Sequence, residues 1–203
     1  MKKPIILAIC GKSASGKDTL AKWLKSDLDG MNIPSRYIIS DTTRPKRINE
    51  QNGIDYYFIS RRDFYQNIVN KRYLEWTRFR NWLYGTYITE IHEDEINIGV
   101  FNARGLESLS KRQNRYDIIP IYLDDSLITR LQRSYQREQR WRLEYFRRAF
   151  ADWREFKNIN KTLNKFFDYL IIENEQSLVR KTRKVLFGLQ DFGIISAGKK
   201  LKS

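Results

Sequence analysis

Apolar residues run almost unbroken through positions 4–10, PIILAIC, and stop at the glycine of GKSASGKD. A run of that length without polar alternation predicts a strand covered on both faces, as in a parallel sheet. Directly beyond it Leu20, Trp23, Leu24 and Leu28 recur at helical spacing. Strand-length runs at 36–39, 96–101, 117–123 and 168–172 then alternate with helix-patterned stretches at 103–113, 125–157 and 176–187. The pattern predicts an α/β, doubly wound fold: a five-stranded parallel sheet flanked by helices.

Residues 41–95 interrupt this rhythm. A polar stretch containing Asn52-Gly53, an aromatic strand over 56–59, a helix opening at Ser60 and further strands over 73–77 and 82–88 read as a small, partly β lobe. It is inserted between the second and third core strands, leaving 1–40 and 96–190 as the core and 192–203 as a loose tail. Nothing in the composition marks a linker, so the chain reads as one domain.

With 203 residues the chain is long enough to bury a sizeable core without covalent staples. Its single cysteine, Cys10, excludes an internal disulfide, and no N-terminal apolar segment with a cleavage site precedes the first strand. A reducing, cytoplasmic setting is the expectation. The apolar runs are too short to span a bilayer. Thirty-eight Lys and Arg against 24 acids give a net charge of +14, which points to polyanionic partners: nucleic acid, or small phosphorylated ligands in an arginine-lined cleft.

The glycine loop favours the second. Gly11, Ser13, Ala14, Ser15, Gly16 and Lys17 form G-x-x-x-x-G-K between strand and helix. Backbone N–H groups of such a loop cradle phosphate oxygens at the positive end of a helix, and the lysine reaches the β and γ phosphates. The next position normally carries a hydroxyl that holds magnesium. Here it is Asp18, followed by Thr19.

Two further segments, ISDTTRPKRINEQNGIDYYFIS over 39–60 and YLEWTRFRNWLYGTY over 73–87, resemble guanylate kinases. The elements in common are Thr42-Thr43-Arg44 with Arg47, Gly53 to Phe58, Glu75-Trp76, and Tyr84-Gly85-Thr86. The resemblance extends from residue 4 to about 180. It implies a P-loop kinase that moves the γ-phosphoryl of ATP, with Mg2+, to GMP or dGMP. By position it assigns Arg44, Arg47, Tyr56 and Tyr84 to the acceptor's phosphate and Glu75, Ser40 and Thr86 to guanine. On their chemistry alone, guanidinium forks suit phosphate, and one carboxylate suits guanine's adjacent N1–H and amine donors.

The chain also departs from that family. Where its members carry D-x-D, this sequence has Val100 and Asn102. Asn102 keeps an acceptor oxygen without the charge, so base selectivity is expected to be relaxed. Asp18 then reads as a displaced metal carboxylate, and the alternative is that it only starts the helix while Thr19 serves the metal.

The arginine-rich stretch 127–153 corresponds to the family's mobile lid, taken here as about 133–142. By position Arg133 or Arg137 from the lid, and Arg147 or Arg148 from the next helix, are the expected catalytic arginines. Trp141, Tyr145, Phe146, Phe150 and Trp153 fall at helical spacing and read as a core-facing stripe. Asn174, with Glu173 as the alternative, matches an adenine-contacting loop. His92 follows no metal-ligand spacing and reads as a surface residue. Three functions compete: a nucleoside monophosphate kinase or a related kinase for another acceptor, a non-catalytic binding module of the same fold, and a nucleic-acid-binding protein.

Overall fold

The structure is a computed structural model that describes residues 3–48, 50–79, 81–138, 143–175 and 177–196. Within those ranges the side chains of Arg137, Glu138, Leu143, Glu144, Tyr145 and Arg148 are not described. The elements run β1 (Ile5–Gly11), α1 (Lys17–Gly30), β2 (Ser35–Tyr37), β3 (Asp41–Thr42), β4 (Tyr57–Phe58), α2 (Arg61–Val69), β5 (Tyr73–Phe79) and β6 (Trp82–Tyr87). They continue with β7 (Ile96–Phe101), α3 (Ala103–Ser110), β8 (Asp117–Asp124), α4 (Leu127–Glu138), α5 (Leu143–Phe156), α6 (Ile159–Phe166), β9 (Leu170–Glu173) and α7 (Leu178–Asp191).

Among the described residues, β2, β7, β1, β8 and β9 form a five-stranded sheet in that order, with every pairing parallel. Alternation along β1 divides the core into two. Ile5, Leu7 and Ile9 pack with Leu20, Leu24 and Leu28 of α1 and Val185 and Leu189 of α7. Ile6, Ala8 and Cys10 pack on the opposite face with Leu106 and Leu109 of α3 and Leu163 of α6. All seven residues of β1 are buried, as expected for a strand central to a covered sheet.

The insertion is a four-stranded sheet ordered β4-β3-β6-β5, with β5 and β6 antiparallel and α2 behind it. Phe64, Tyr73 and Leu83 form its own small core. Ser60 caps α2 by accepting from the Asp63 N–H at 3.1 Å, which fixes the helix start that the sequence predicted.

Four expectations change. The two-residue β3 falls in the polar stretch, where it has no hydrophobic pattern to announce it and is held by β4 and β6 instead. The single helical stretch over 125–157 is two helices, and α6 follows as a third. The tail does not start loose at Phe192: Ile195 is buried in the main core, and Ile194 donates its N–H to Leu189 O at 2.9 Å. Finally, the aromatic stripe does not face the core, because Phe146, Phe150 and Trp153 are each more than half exposed. Trp141 lies outside the described residues, as does the side chain of Tyr145. Helical spacing marks a common face but not which way it points. Among the described residues no helix is long and apolar enough to cross a membrane.

Candidate functional site

The carboxyl ends of β7, β1 and β8 lie side by side and open towards the inserted lobe, the position at which open α/β sheets bind ligands. A cavity of about 410 Å³ occupies the gap. Its wall includes Gly11, Ser13, Ala14, Lys17 and Asp18 on one side, and Ser40, Arg44, Arg47, Tyr56, Glu75, Tyr84 and Asn102 on the other. Twelve of the residues predicted from sequence therefore converge on one space.

The glycine loop owes its curvature to positive φ at Ala14 (62°) and Gly16 (86°). Gly11 also has a positive φ (155°) and is crowded besides: a Cβ there would lie 2.7 Å from Leu123 O and 2.8 Å from Ser15 Oγ. Lys17 curls back to donate to Lys12 O at 3.1 Å, which holds its ammonium at the loop's entry. Ser15 is fully buried below the loop. Its carbonyl accepts from Arg133 at 3.3 Å and from Lys181 of α7 at 3.4 Å. Both cations also bond Asp125 Oδ2, at 2.6 and 2.9 Å. Arg133 thus braces the loop from behind and is absent from the cavity wall.

Other arginine assignments shift as well. Arg147 is exposed and does not line the cavity, while the side chains of Arg137 and Arg148 lie outside those described. Among the described residues, the cationic side chain that this segment places on the cavity wall is Arg130. Its guanidinium donates to Asp152 Oδ2 at 3.0 Å and to Ser13 O at 3.3 Å. Asp152 and Glu155, from α5, also line the cavity. Burial first, and then the negative charge of Asp152, push the Glu155 carboxyl up to about 7.

Neither Asn174 nor Glu173 is in the cavity wall. The Asn174 backbone is left-handed, with φ 42°, and its side-chain oxygen accepts the Ser126 N–H at 2.8 Å, tying the start of α4 to the end of β9. Thr19 is exposed and also lies outside the wall, unlike its neighbour Asp18.

On the lobe, Arg44 forks onto Glu50, its two terminal nitrogens at 2.9 and 2.7 Å from the two carboxylate oxygens. Arg47 reaches the same carboxylate through its backbone N–H at 2.9 Å and its guanidinium at 3.4 Å. Burial would raise the Glu50 carboxyl, but these bonds and charges outweigh it and hold it below the usual range. The Arg44 guanidinium also lies over the Tyr56 ring, 5.5 Å from its centroid. Burial, reinforced by the charge of Asp18, keeps the Tyr56 hydroxyl protonated and therefore a donor.

A relay of hydroxyls ends at Glu75. Thr86 donates to Glu75 Oε1 at 3.0 Å, so the 3.1 Å contact between Ser40 and Thr86 must take its proton from Ser40. Thr86 itself is fully buried behind the wall. Burial pushes the Glu75 carboxyl up to about 7, and the Thr86 bond offsets only part of that rise. Glu75 Oε2 approaches the start of α3, where a Cβ on Gly105 would sit 3.1 Å away. Asn102 caps that helix, accepting the Gly105 N–H at 2.7 Å, and its amide donates to Thr77 Oγ1 at 2.9 Å.

Glu50, Arg130, Asp152, Glu155 and Thr77 carried no distinguishing spacing. Only Arg130 had a visible signal, as one arginine among many in its segment. Cys10, against the same loop, has its thiol pushed up to about 12 by burial, with Lys17 opposing, which leaves it inert as a nucleophile.

Comparison with known proteins gives the chain its family. The family model described as guanylate kinase matches residues 1–185. A guanylate kinase of Wigglesworthia glossinidia brevipalpis is 30% identical over 195 residues, covering 92% of each chain. One from Malacoplasma penetrans is 29% identical over 191 residues, covering 92% of this chain and 94% of its own. The crystal structure of guanylate kinase from Anaplasma phagocytophilum superposes with a TM-score of 0.67 at 19% identity, covering 96% of this chain and 89% of that one. By the extent of the family match and the length of the relationship, the chain belongs to the guanylate kinase family.

Proposed function

We propose that the protein transfers the γ-phosphoryl group of ATP to GMP or dGMP, giving ADP and the nucleoside diphosphate. The observation that carries this reading is the shared cavity: the glycine loop with Lys17 and the arginine, tyrosine and glutamate cluster of the lobe face each other across one space. A binding module of this fold has no need of a triphosphate cradle opposite a monophosphate site. Nucleic acid remains the weaker reading, since the charges that define this site converge inside a cleft.

The division of labour follows from the groups present. Arg44, Arg47, Tyr56 and Tyr84 bind the acceptor phosphate, whose oxygen is already a nucleophile, so no general base is required. Ionised Glu75 accepts the N1–H and amine of guanine. Lys17 and Arg130 stabilise charge on the group in transfer, and catalysis is positioning plus electrostatics. Magnesium fits this site as an ion carried largely by its substrate. Among the described residues no cluster of three or more His, Cys, Asp or Glu side chains could hold a metal, but Asp18 offers one hard oxygen donor on the wall. When bound, the ion would neutralise phosphate charge.

Base choice is the second point. Asn102 spends its amide on Thr77 and one lone pair on its own helix cap, leaving only a neutral acceptor for guanine's amine. Discrimination at that amine is expected to be weak. ATP-dependent diphosphate formation across GMP, dGMP, IMP, AMP, UMP and CMP tests both statements. No turnover with any monophosphate would overturn the kinase reading, and a GMP preference of many hundred-fold over every other base would overturn the relaxed selectivity.

A further inference from the structure

One carboxylate already sits on the phosphate loop. Asp152 is 1% exposed yet lines the cavity. Its Oδ2 accepts the Ser13 backbone N–H at 2.9 Å, its Oδ1 accepts the Ser13 hydroxyl at 2.8 Å, and Arg130 donates to Oδ2 at 3.0 Å. A loop N–H, a hydroxyl and a guanidinium on one anion make the donor set that a terminal phosphate would recruit.

The location narrows which phosphate. The Lys17 ammonium, the group that reaches β and γ phosphates in such loops, bonds Lys12 O. The N–H on the other side of that same peptide bond belongs to Ser13 and is the one held by Asp152. Asp152 therefore stands at the outer end of the phosphate chain and not at the helix N-terminus, where the inner phosphates lie.

We propose that Asp152 is a specificity-determining residue for phosphate-chain length: it takes the place of the γ-phosphoryl group when that group is absent and must leave, with the C-terminal half of α5, when ATP binds. A diphosphate does not contest the site, so Asp152 and ADP occupy the loop together. A triphosphate brings a like charge to the same donors and receives Ser13 N–H and Arg130 from the displaced carboxylate. The residue thereby lowers affinity for ATP without lowering affinity for ADP, and it closes the terminal subsite once the phosphoryl group has been transferred.

This inference rests on the kinase reading, and the test separates the two. Calorimetric titration of the intact protein, its Asp152→Asn variant and its Asp152→Ala variant with ADP and with a non-hydrolysable ATP analogue gives an affinity ratio for each. Both variants are expected to shift that ratio towards the triphosphate by roughly ten- to a hundredfold, the scale of a charge-assisted hydrogen bond. An unchanged ratio, or equal losses for both nucleotides as from a merely structural residue, overturns the inference. Failure of the unmodified protein to bind either nucleotide would instead overturn the kinase reading. Should the variants fold poorly, hydrogen exchange over residues 149–156 of the unmodified protein serves. It is expected to differ between the ADP and ATP-analogue complexes, and identical exchange overturns the proposal.

Discussion

Replacing Glu75 by glutamine should make the nucleotide-free protein more stable and the enzyme worse. Burial raises the Glu75 carboxyl from 4.5 to about 7. That difference is about 2.5 powers of ten in proton affinity, and at about 1.4 kcal/mol each the ionised carboxylate costs the empty fold about 3 kcal/mol. Because the folded value lies above the unfolded one, the protonated group's contribution is complete below pH 4.5 and is lost as pH rises through about 7. Glutamine keeps an oxygen for the Thr86 hydroxyl and carries no charge. At pH 8 the Glu75→Gln variant should melt roughly 6–10 °C higher than the parent, and near pH 4.5 the two should nearly coincide.

On the proposed reading, the same change removes the acceptor pair for guanine. An amide turns one N–H towards guanine's own donors, so two charge-assisted bonds are lost or opposed, and kcat/KM for GMP should fall at least about a hundredfold. In the parent, kcat/KM for GMP should rise with pH through about 7 as Glu75 ionises, a limb the variant should lack. Calorimetric melts across pH 4.5–8 and steady-state kinetics over the same range provide the check. A variant that is no more stable at pH 8, or equally stabilised at both ends, would refute the reasoning.

Three further outcomes are expected. Asn102→Asp, by placing a charge beside the amine of guanine, should raise kcat/KM for GMP relative to IMP by about tenfold, and an unchanged ratio in a two-substrate assay would show that Asn102 does not read the base. Asp18→Asn should raise the magnesium concentration needed for half-maximal rate, and unaltered magnesium dependence and turnover would leave Asp18 as a helix-starting residue only. Gly11→Ala should cost about 1–3 kcal/mol in denaturant titrations and abolish ATP binding, because the added methyl meets a backbone carbonyl and a buried hydroxyl that have little room to give.

What could be read from sequence divides along a physical line. β1 and its loop were legible because a continuous apolar run, two glycines and a lysine are local signals. The lobe's cluster was legible through its resemblance, and the cavity wall brings Arg44, Tyr56, Glu75 and Tyr84 together. The lid was not legible residue by residue. Arg130 and Arg133 are three positions apart on one helix, yet one faces the cavity and the other grips Asp125 behind the loop. That outcome depends on how α4 rotates against the sheet, which an arginine-rich pattern does not encode. Asp152 likewise carries no signal of its own, since its role arises from α5 packing against Ser13, 139 positions away. Phe146, Phe150 and Trp153 show the same limit from the other side, because a periodic aromatic face can be left exposed.

The brace beneath the glycine loop has a consequence for how the protein comes into being. Ser15 O is held by an ammonium on α7, at residue 181, so a chain leaving the ribosome exposes its loop early and its brace late. At about 5–20 residues per second the interval is roughly ten to thirty seconds. Throughout that time the loop has at most the Arg133 half of its brace, and Lys181 completes it last. A chain truncated before α7 would lack the Lys181 contacts to Ser15 O and Asp125 and should bind ATP less tightly than the whole protein.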